Sequence, residues 1–168
     1  MKLIKTSLLA LVLLMTMASC SKEEESVVTE EVNYSIDLNL ADETDWVMAD
    51  EILKLVNEHR ETLGLTRIKR DQTYASAYAV EHTQYMMDKG TISHDNFGVR
   101  SSALKDQGAV IVGENVAYGY DSAEKVVNAW LNSPGHRNVI EGLYTHSGFG
   151  IVKNTQGQTY FTQLFYKK

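Results

Sequence analysis

Residues 126–140 read VVNAWLNSPGHRNVI, and Pro134, the only proline in the chain, stands in the middle of them. Proline is tolerated at the first position of a helix, where its missing N–H would have had no partner. Ser133 in front of it is a good N-cap. The stretch therefore reads as one helix stopping near Leu131 and a second, short helix starting abruptly, with Pro134, Gly135 and His136 in its first turn. A helix N-terminus carries positive partial charge and free N–H groups. These disfavour a protonated imidazole, so His136 is expected to be neutral near pH 7. A neutral imidazole can ligate a metal, take a proton or bind a polar ligand atom, and Gly135 leaves space beside the backbone. The plainer reading, a histidine that only packs or caps, stands beside these.

Working outward, Asp121 and Glu124 have the spacing of a capping box for a helix beginning at about 122, with Ala123, Val126, Val127 and Trp130 facing one way. Before it, VIV at 110–112 reads as a short strand leading into GEN, which puts Glu114 at a strand end between Gly113 and Asn115. The segment 91–109 is rich in loop residues, with a short helical piece near 99–107. Helical spacing of Ala49, Ile52, Leu53, Val56 and Leu63 marks a helix over about 46–63, closed by Gly64. A second helix runs over about 72–89, with Asp71 as N-cap, Gly90 as terminator and the stripe Ala75, Tyr78, Ala79, His82, Met86. Two strands follow, at about 147–153 and 158–166, joined by NTQG as a hairpin loop. The last strand is apolar on both sides, so both of its faces are expected to be covered. Helices first and an antiparallel hairpin last indicate an α+β fold, with helices on a small sheet.

The N-terminal residues have a different character. Lys2 and Lys5 precede an apolar run that ends in MASC, with Cys20 the only cysteine. A charged start, a short apolar core and small residues at a cut site read as an export signal over 1–19, too short for a comfortable membrane span. MASC resembles a lipobox, with Met17 in place of the usual leucine, so Cys20 is expected to be lipidated and to hold the protein to a membrane. Residues 20–45 carry nine acidic groups and one lysine, and read as an acidic, flexible tether. Their SKEEE resembles acidic signals that send some lipoproteins to the outer face of the outer membrane. The expected location is thus the bacterial outer membrane. Residues 46–168 carry 13 acidic and 13 basic side chains and form the expected domain. Its balanced charge offers no basic patch for nucleic acid. A chain of that length buries about two-thirds of its surface, enough for one core without disulfides.

Two further stretches carry chemistry. TISHDNFG puts His94 in a loop beside Asp95 and Asn96, and IVGENVAYG holds Glu114. Of the other histidines, His82 lies on an apolar stripe and reads as a hydrogen-bonded core residue, and His59 as helix surface. His146 packs or hydrogen-bonds locally, or else edges a cleft. Gln163 reaches the cleft or points away, and Asn115 supports the backbone around Glu114. No serine or cysteine stands out as a nucleophile.

ILKLVNEHRETLGL, SHDNFG, GENVAYG, VVNAWLNSPGHRNVI and YTHSGFGIV…YFTQLF occur in the order seen in bacterial members of the CAP, or SCP, superfamily. That superfamily includes cysteine-rich secretory proteins, venom antigens and plant pathogenesis-related proteins. The resemblance covers about 46–168. It implies a three-layer α-β-α sandwich with a small, mainly antiparallel sheet and an open cleft. In the family, two histidines and two glutamates line that cleft and can hold a divalent metal, often zinc. Carried over by motif, they are His94, Glu114 and His136. The second glutamate, three residues after the tryptophan matching Trp130, is replaced here by Ser133.

Two imidazoles and a carboxylate with one open place match the ligand set of hydrolytic zinc sites. However, no HExxH supplies a base, and a Glu114 that ligates metal is a poor base. Whether the protein is an enzyme therefore stays open, with Glu114 and His136 as the catalytic candidates. The leading expectation is a monomeric, lipid-anchored binding module. Its cleft, formed by His94, Glu114 and His136, takes a lipid, peptide or glycan, and family members that bind sterols and fatty acids support that reading. The alternatives are a metal-dependent hydrolase acting on peptides or envelope material, and a surface protein in which the three residues only stabilise the cleft.

Overall fold

The computed structural model describes residues 35–168. The expected signal peptide, Cys20 and residues 20–34 of the expected tether lie outside them. The chain forms a 3-10 helix (Leu38–Glu43), α1 (Trp46–Thr62), β1 (Lys69–Arg70), α2 (Tyr74–Lys89), α3 (Phe97–Asp106), β2 (Ile111–Tyr118), α4 (Ala123–Asn132), α5 (Pro134–Ile140), β3 (His146–Lys153) and β4 (Thr159–Lys167). The strands form one sheet in the order β1-β3-β4-β2, parallel between β1 and β3 and antiparallel elsewhere. Among the described residues no helix is long and apolar enough to cross a membrane.

Side chains alternate across a strand, and β4 uses both sets. Phe161 and Phe165 join Phe149 and Ile151 of β3 under α1, α4 and α5, where Ile52, Val56, Val126, Trp130 and Ile140 close the core. Leu164 and Tyr166 face the opposite way, against Ala75, Tyr78 and Ala79 of α2 and Ala103 and Leu104 of α3. The result is the α-β-α sandwich that the family resemblance implies, with both faces of the last strand covered as expected.

The seat of α2 is close because β3 offers glycines there. A Cβ on Gly148 would overlap the backbone of Ala75 and Ser76, and one on Gly150 the backbone of Ala79 and Val80. Thr83 locks the contact, donating its hydroxyl hydrogen bond to the Gly150 carbonyl at 2.9 Å.

Some boundaries differ from the sequence reading, each for a local reason. Residues 37–45 belong to the folded body. Because β1 pairs with only two residues of β3, the rest of that edge needs partners. The Thr44 hydroxyl donates to the Phe149 carbonyl at 2.7 Å, and the Asp45 N–H to the Ile151 carbonyl at 2.9 Å. The α4 cap is Ser122, which accepts from the Lys125 N–H, rather than Asp121. Asp71 acts from outside α2, accepting from the Thr73 and Ala75 N–H groups. The strand read at 110–112 runs on to Tyr118, so Glu114 stands within it. Gly113 is in that strand because the Tyr144 ring lies where its side chain would be.

Replacement Gly150→Ala is expected to lower stability by about 3 kcal/mol through overpacking. Gly98→Ala, which meets open space on α3, is expected to be neutral or stabilising by up to about 1 kcal/mol. Urea unfolding of both variants checks the contrast.

Candidate functional site

The site forms where the edge strand β2 passes between α3 on one face of the sheet and α5 on the other. Gly90 ends α2 in the left-handed conformation, and the chain turns back through 91–96. His82, buried on α2, donates its Nε2–H to the Ser93 carbonyl at 2.8 Å, so the expected core histidine also positions the loop. Burial first and the Arg100 charge second lower the His82 pKa, which keeps the ring neutral. Asn96 is left-handed at φ 58°, a conformation that asparagine tolerates better than most residues. It starts α3, and the loop displays His94.

His94 Nδ1 lies 2.8 Å from Glu114 Oε1. An ionised carboxylate can only accept, so Nδ1 carries the hydrogen, and in the neutral form of the ring the lone pair lies on Nε2. The His94 side chain is 53% exposed, while that of Glu114 is 1% exposed. Behind them sits Arg100, also buried, whose Nε donates to Glu114 Oε2 at 2.7 Å and whose second terminal nitrogen donates to Oε1 at 2.9 Å. Its remaining terminal nitrogen donates to the Asp95 carbonyl at 2.8 Å. Burial alone would raise the Glu114 pKa, but the hydrogen bonds from His94 and Arg100 and the Arg100 charge outweigh it and hold the pKa below the ordinary carboxylate value. The carboxylate is therefore ionised.

His136 arrives from the other face. Its Nδ1 lies 2.9 Å from the Ser133 hydroxyl, so Ser133 holds the ring rather than an amide at the start of α5. Asn115, next to Glu114 but pointing to the opposite face, donates to the His136 carbonyl at 3.2 Å. It thus supports α5, not the backbone around Glu114. Burial, then the charge of His94, lowers the His136 pKa, so the expected neutral ring has a different main cause from the helix terminus. The other candidates lie elsewhere. His146 stacks on Tyr166 and lines a separate cavity of about 420 Å³ with Asp71, while Gln163 is buried on the Asn115 face against Ser147. His59 pairs with Glu141 at 2.9 Å.

Arg100 is the functional residue that the sequence reading missed. It sits in FGVRSSALKD, a helix without a marked apolar stripe, where a charge reads as solvent-facing. The available signal was that it is the only arginine between His94 and Glu114.

A metal set including Glu114 does not fit this arrangement. Both of its oxygens are engaged, and turning one to a metal would strip a buried guanidinium of its partner. Among the described residues no group of three His, Cys, Asp or Glu side chains is placed to hold a metal ion. What the geometry offers is a fixed, half-exposed imidazole whose Nε2 has no hydrogen-bond partner among the described residues, and a second imidazole, held neutral, within its electrostatic reach.

Residues 53–165 match the family model described as the cysteine-rich secretory protein family, CAP. YkwD of Bacillus subtilis (strain 168) is 34% identical over 109 residues, which are 62% of this chain and 42% of that protein. The membrane protein YlbC of the same organism is 35% identical over 125 residues, 70% of this chain and 34% of that protein. The chain thus spans less than half the length of these two relatives. Among solved structures, an outer surface protein from Borrelia burgdorferi superimposes with a TM-score of 0.64 at 28% identity, covering 73% of this chain and 93% of that one.

Replacement Arg100→Met is expected to destabilise the protein by about 3–5 kcal/mol, because the buried Glu114 carboxylate loses its counter-charge. The double variant Arg100→Met/Glu114→Gln should recover most of that loss. Chemical denaturation of the two single variants and the double gives the coupling, and additive losses would mean that the pair is not one unit.

Proposed function

The chain belongs to the cysteine-rich secretory protein (CAP) family, and from that premise we propose that it is a binding module of the bacterial envelope. Its cleft at His94, Glu114 and His136 takes a lipid, peptide or glycan ligand. One observation carries the reading: His94 is held by an ionised carboxylate that is itself locked by a buried arginine, its side chain is half exposed, and its Nε2 has no hydrogen-bond partner among the described residues. Such an acceptor is oriented in advance for a ligand hydroxyl or N–H, which lowers the ordering cost of binding. No serine or cysteine stands in reach of it as a nucleophile among the described hydrogen bonds. The proposal needs no metal, and among the described residues no group of three His, Cys, Asp or Glu side chains is placed to hold one.

The second reading, a hydrolase, is favoured by the same free nitrogen, since a carboxylate-backed imidazole is also the arrangement of a general base. A panel of fatty acids, envelope glycan fragments and mixed peptides separates the readings, with binding followed by backbone amide shifts. At least one class should bind the protein and fail to bind the His94→Ala/His136→Ala variant at unchanged melting temperature. Equal binding by the variant, or none by either protein, would overturn the module. Turnover of the bound class, lost in His94→Ala, would make it an enzyme, and turnover lost on chelation would restore the metal.

We further propose that lipid on Cys20 holds the module to the outer membrane. MASC at 17–20 supports this, as does the surface location stated for the similar Borrelia burgdorferi protein. In cells fed an alkynyl fatty acid, Cys20→Ala should abolish labelling and release the protein from the membrane fraction. Retention of label in that variant would overturn the anchor.

A further inference from the structure

The two edges of the sheet are treated differently. At the β3 edge, Thr44 and Asp45 hydrogen-bond to the carbonyls of Phe149 and Ile151. At the β2 edge, the Gly119 N–H bonds to the Thr159 carbonyl. With the register Asn115↔Gln163, this sets the main chain of Gly113, Asn115 and Ala117 toward β4. The alternating residues Val112, Glu114 and Val116 must then turn their N–H and C=O groups off the sheet. The Val116 carbonyl agrees with this direction, since it accepts the Trp130 indole N–H from outside the sheet at 3.1 Å. Among the described residues no bond from the main chain of a turn or loop reaches the main-chain N–H or C=O of Glu114, and its place in the register turns both away from β4. The Glu114 side chain is 1% exposed but the whole residue is 6% exposed, so its solvent contact is made by the backbone. This short open edge runs between His94 on one side and His136 on the other.

Resting on the cleft reading above, we infer that the ligand is an extended polypeptide segment that adds to the sheet along β2, its backbone pairing with Val112 and Glu114 between the two imidazoles. Unpaired main-chain donors and acceptors at strand spacing are met by another extended backbone, as in other cases of strand addition. Ile111 and Tyr118, exposed and apolar at the two ends of β2, offer contacts for the side chains of the added strand. Helices α3 and α5 both pack against β2, so the open edge runs between two helices, and a single extended segment brings less bulk to it than a second folded copy would.

The test uses 15N-labelled protein and a pool of blocked octapeptides of mixed sequence, beside the same pool N-methylated at alternate residues. The expected result is a downfield shift and slowed exchange of the Val112 and Glu114 amides with the first pool and neither effect with the second. Val112→Pro removes an outward donor without touching the β4 ladder and should weaken binding; because Val112 also packs against the α2 and α3 core, it is compared with Val112→Ala, which loses the packing but keeps the donor and should still bind. Equal binding of both pools, or peptide shifts confined to the His94 and His136 rings, would overturn edge pairing but leave the cleft reading intact. No binding of either pool would also overturn it, and the lipid and glycan probes would then judge the cleft alone. Shifts of the edge amides with protein concentration and no peptide would overturn it in favour of a second copy.

Discussion

A buried guanidinium gripping a buried carboxylate is the contact on which the site depends. Arg100 and Glu114 join three separate pieces of chain: the loop carrying His94, helix α3 and the edge strand β2. Taking two charges out of water is costly, and a pair of this kind need not add net stability over an apolar one. Its contribution is geometric. A bidentate fork fixes the plane of the carboxylate, the carboxylate fixes the Nδ1–H tautomer of His94, and the open Nε2 follows. An apolar pair could fill the same space without setting the direction of any lone pair.

A second buried arginine performs the matching task on the other side of the sheet. Arg60 of α1, 1% exposed, has no carboxylate partner among the described residues and is satisfied by carbonyls. It donates to Thr66 at the turn after its own helix, to Ile140 at the last residue of α5 at 2.5 Å, and to Gly142 just beyond it at 2.8 Å. It thereby pins the end of the short helix that carries His136, while Asn115 holds the beginning. The segment carrying each imidazole is therefore tied down by a buried arginine on a different helix, Arg100 for the His94 loop and Arg60 for the far end of α5.

The contrast between the two arginines explains what the sequence could reveal. Helix stripes, the hairpin and the proline-started helix are local patterns, and they appeared where periodicity and capping chemistry placed them. His94, Glu114 and His136 were found through ordered motifs, since spacings of 20 and 22 residues carry no local meaning. Arg100 and Arg60 escaped notice because a buried charge looks in sequence like a surface one, and only the fold brings its acceptors together. The same limit hid the length of β2. A glycine followed by a charged residue reads as a strand end, yet Gly113 is there to admit the Tyr144 ring and Glu114 to meet Arg100. Residues 37–45 were read with the acidic tether by composition, although Thr44 and Asp45 complete the edge of β3.

The missing fourth acidic residue also takes on a physical meaning. With Ser133 at that position, the His136 ring is held by a hydroxyl instead of a carboxylate, so no second negative charge stands at that position in the cleft. Among the described residues, Glu114 is the one carboxylate hydrogen-bonded to either cleft histidine, and its charge is answered by Arg100. With the Glu114 charge answered by Arg100 and the His136 ring held neutral, the proposed cleft has no uncompensated buried carboxylate to draw a cation. Its lasting directional features are hydrogen-bonding atoms: the His94 acceptor nitrogen and, between the rings, the outward main chain of β2. A peptide backbone is itself neutral and alternates donors with acceptors, so it can satisfy that edge without bringing a charge into the site.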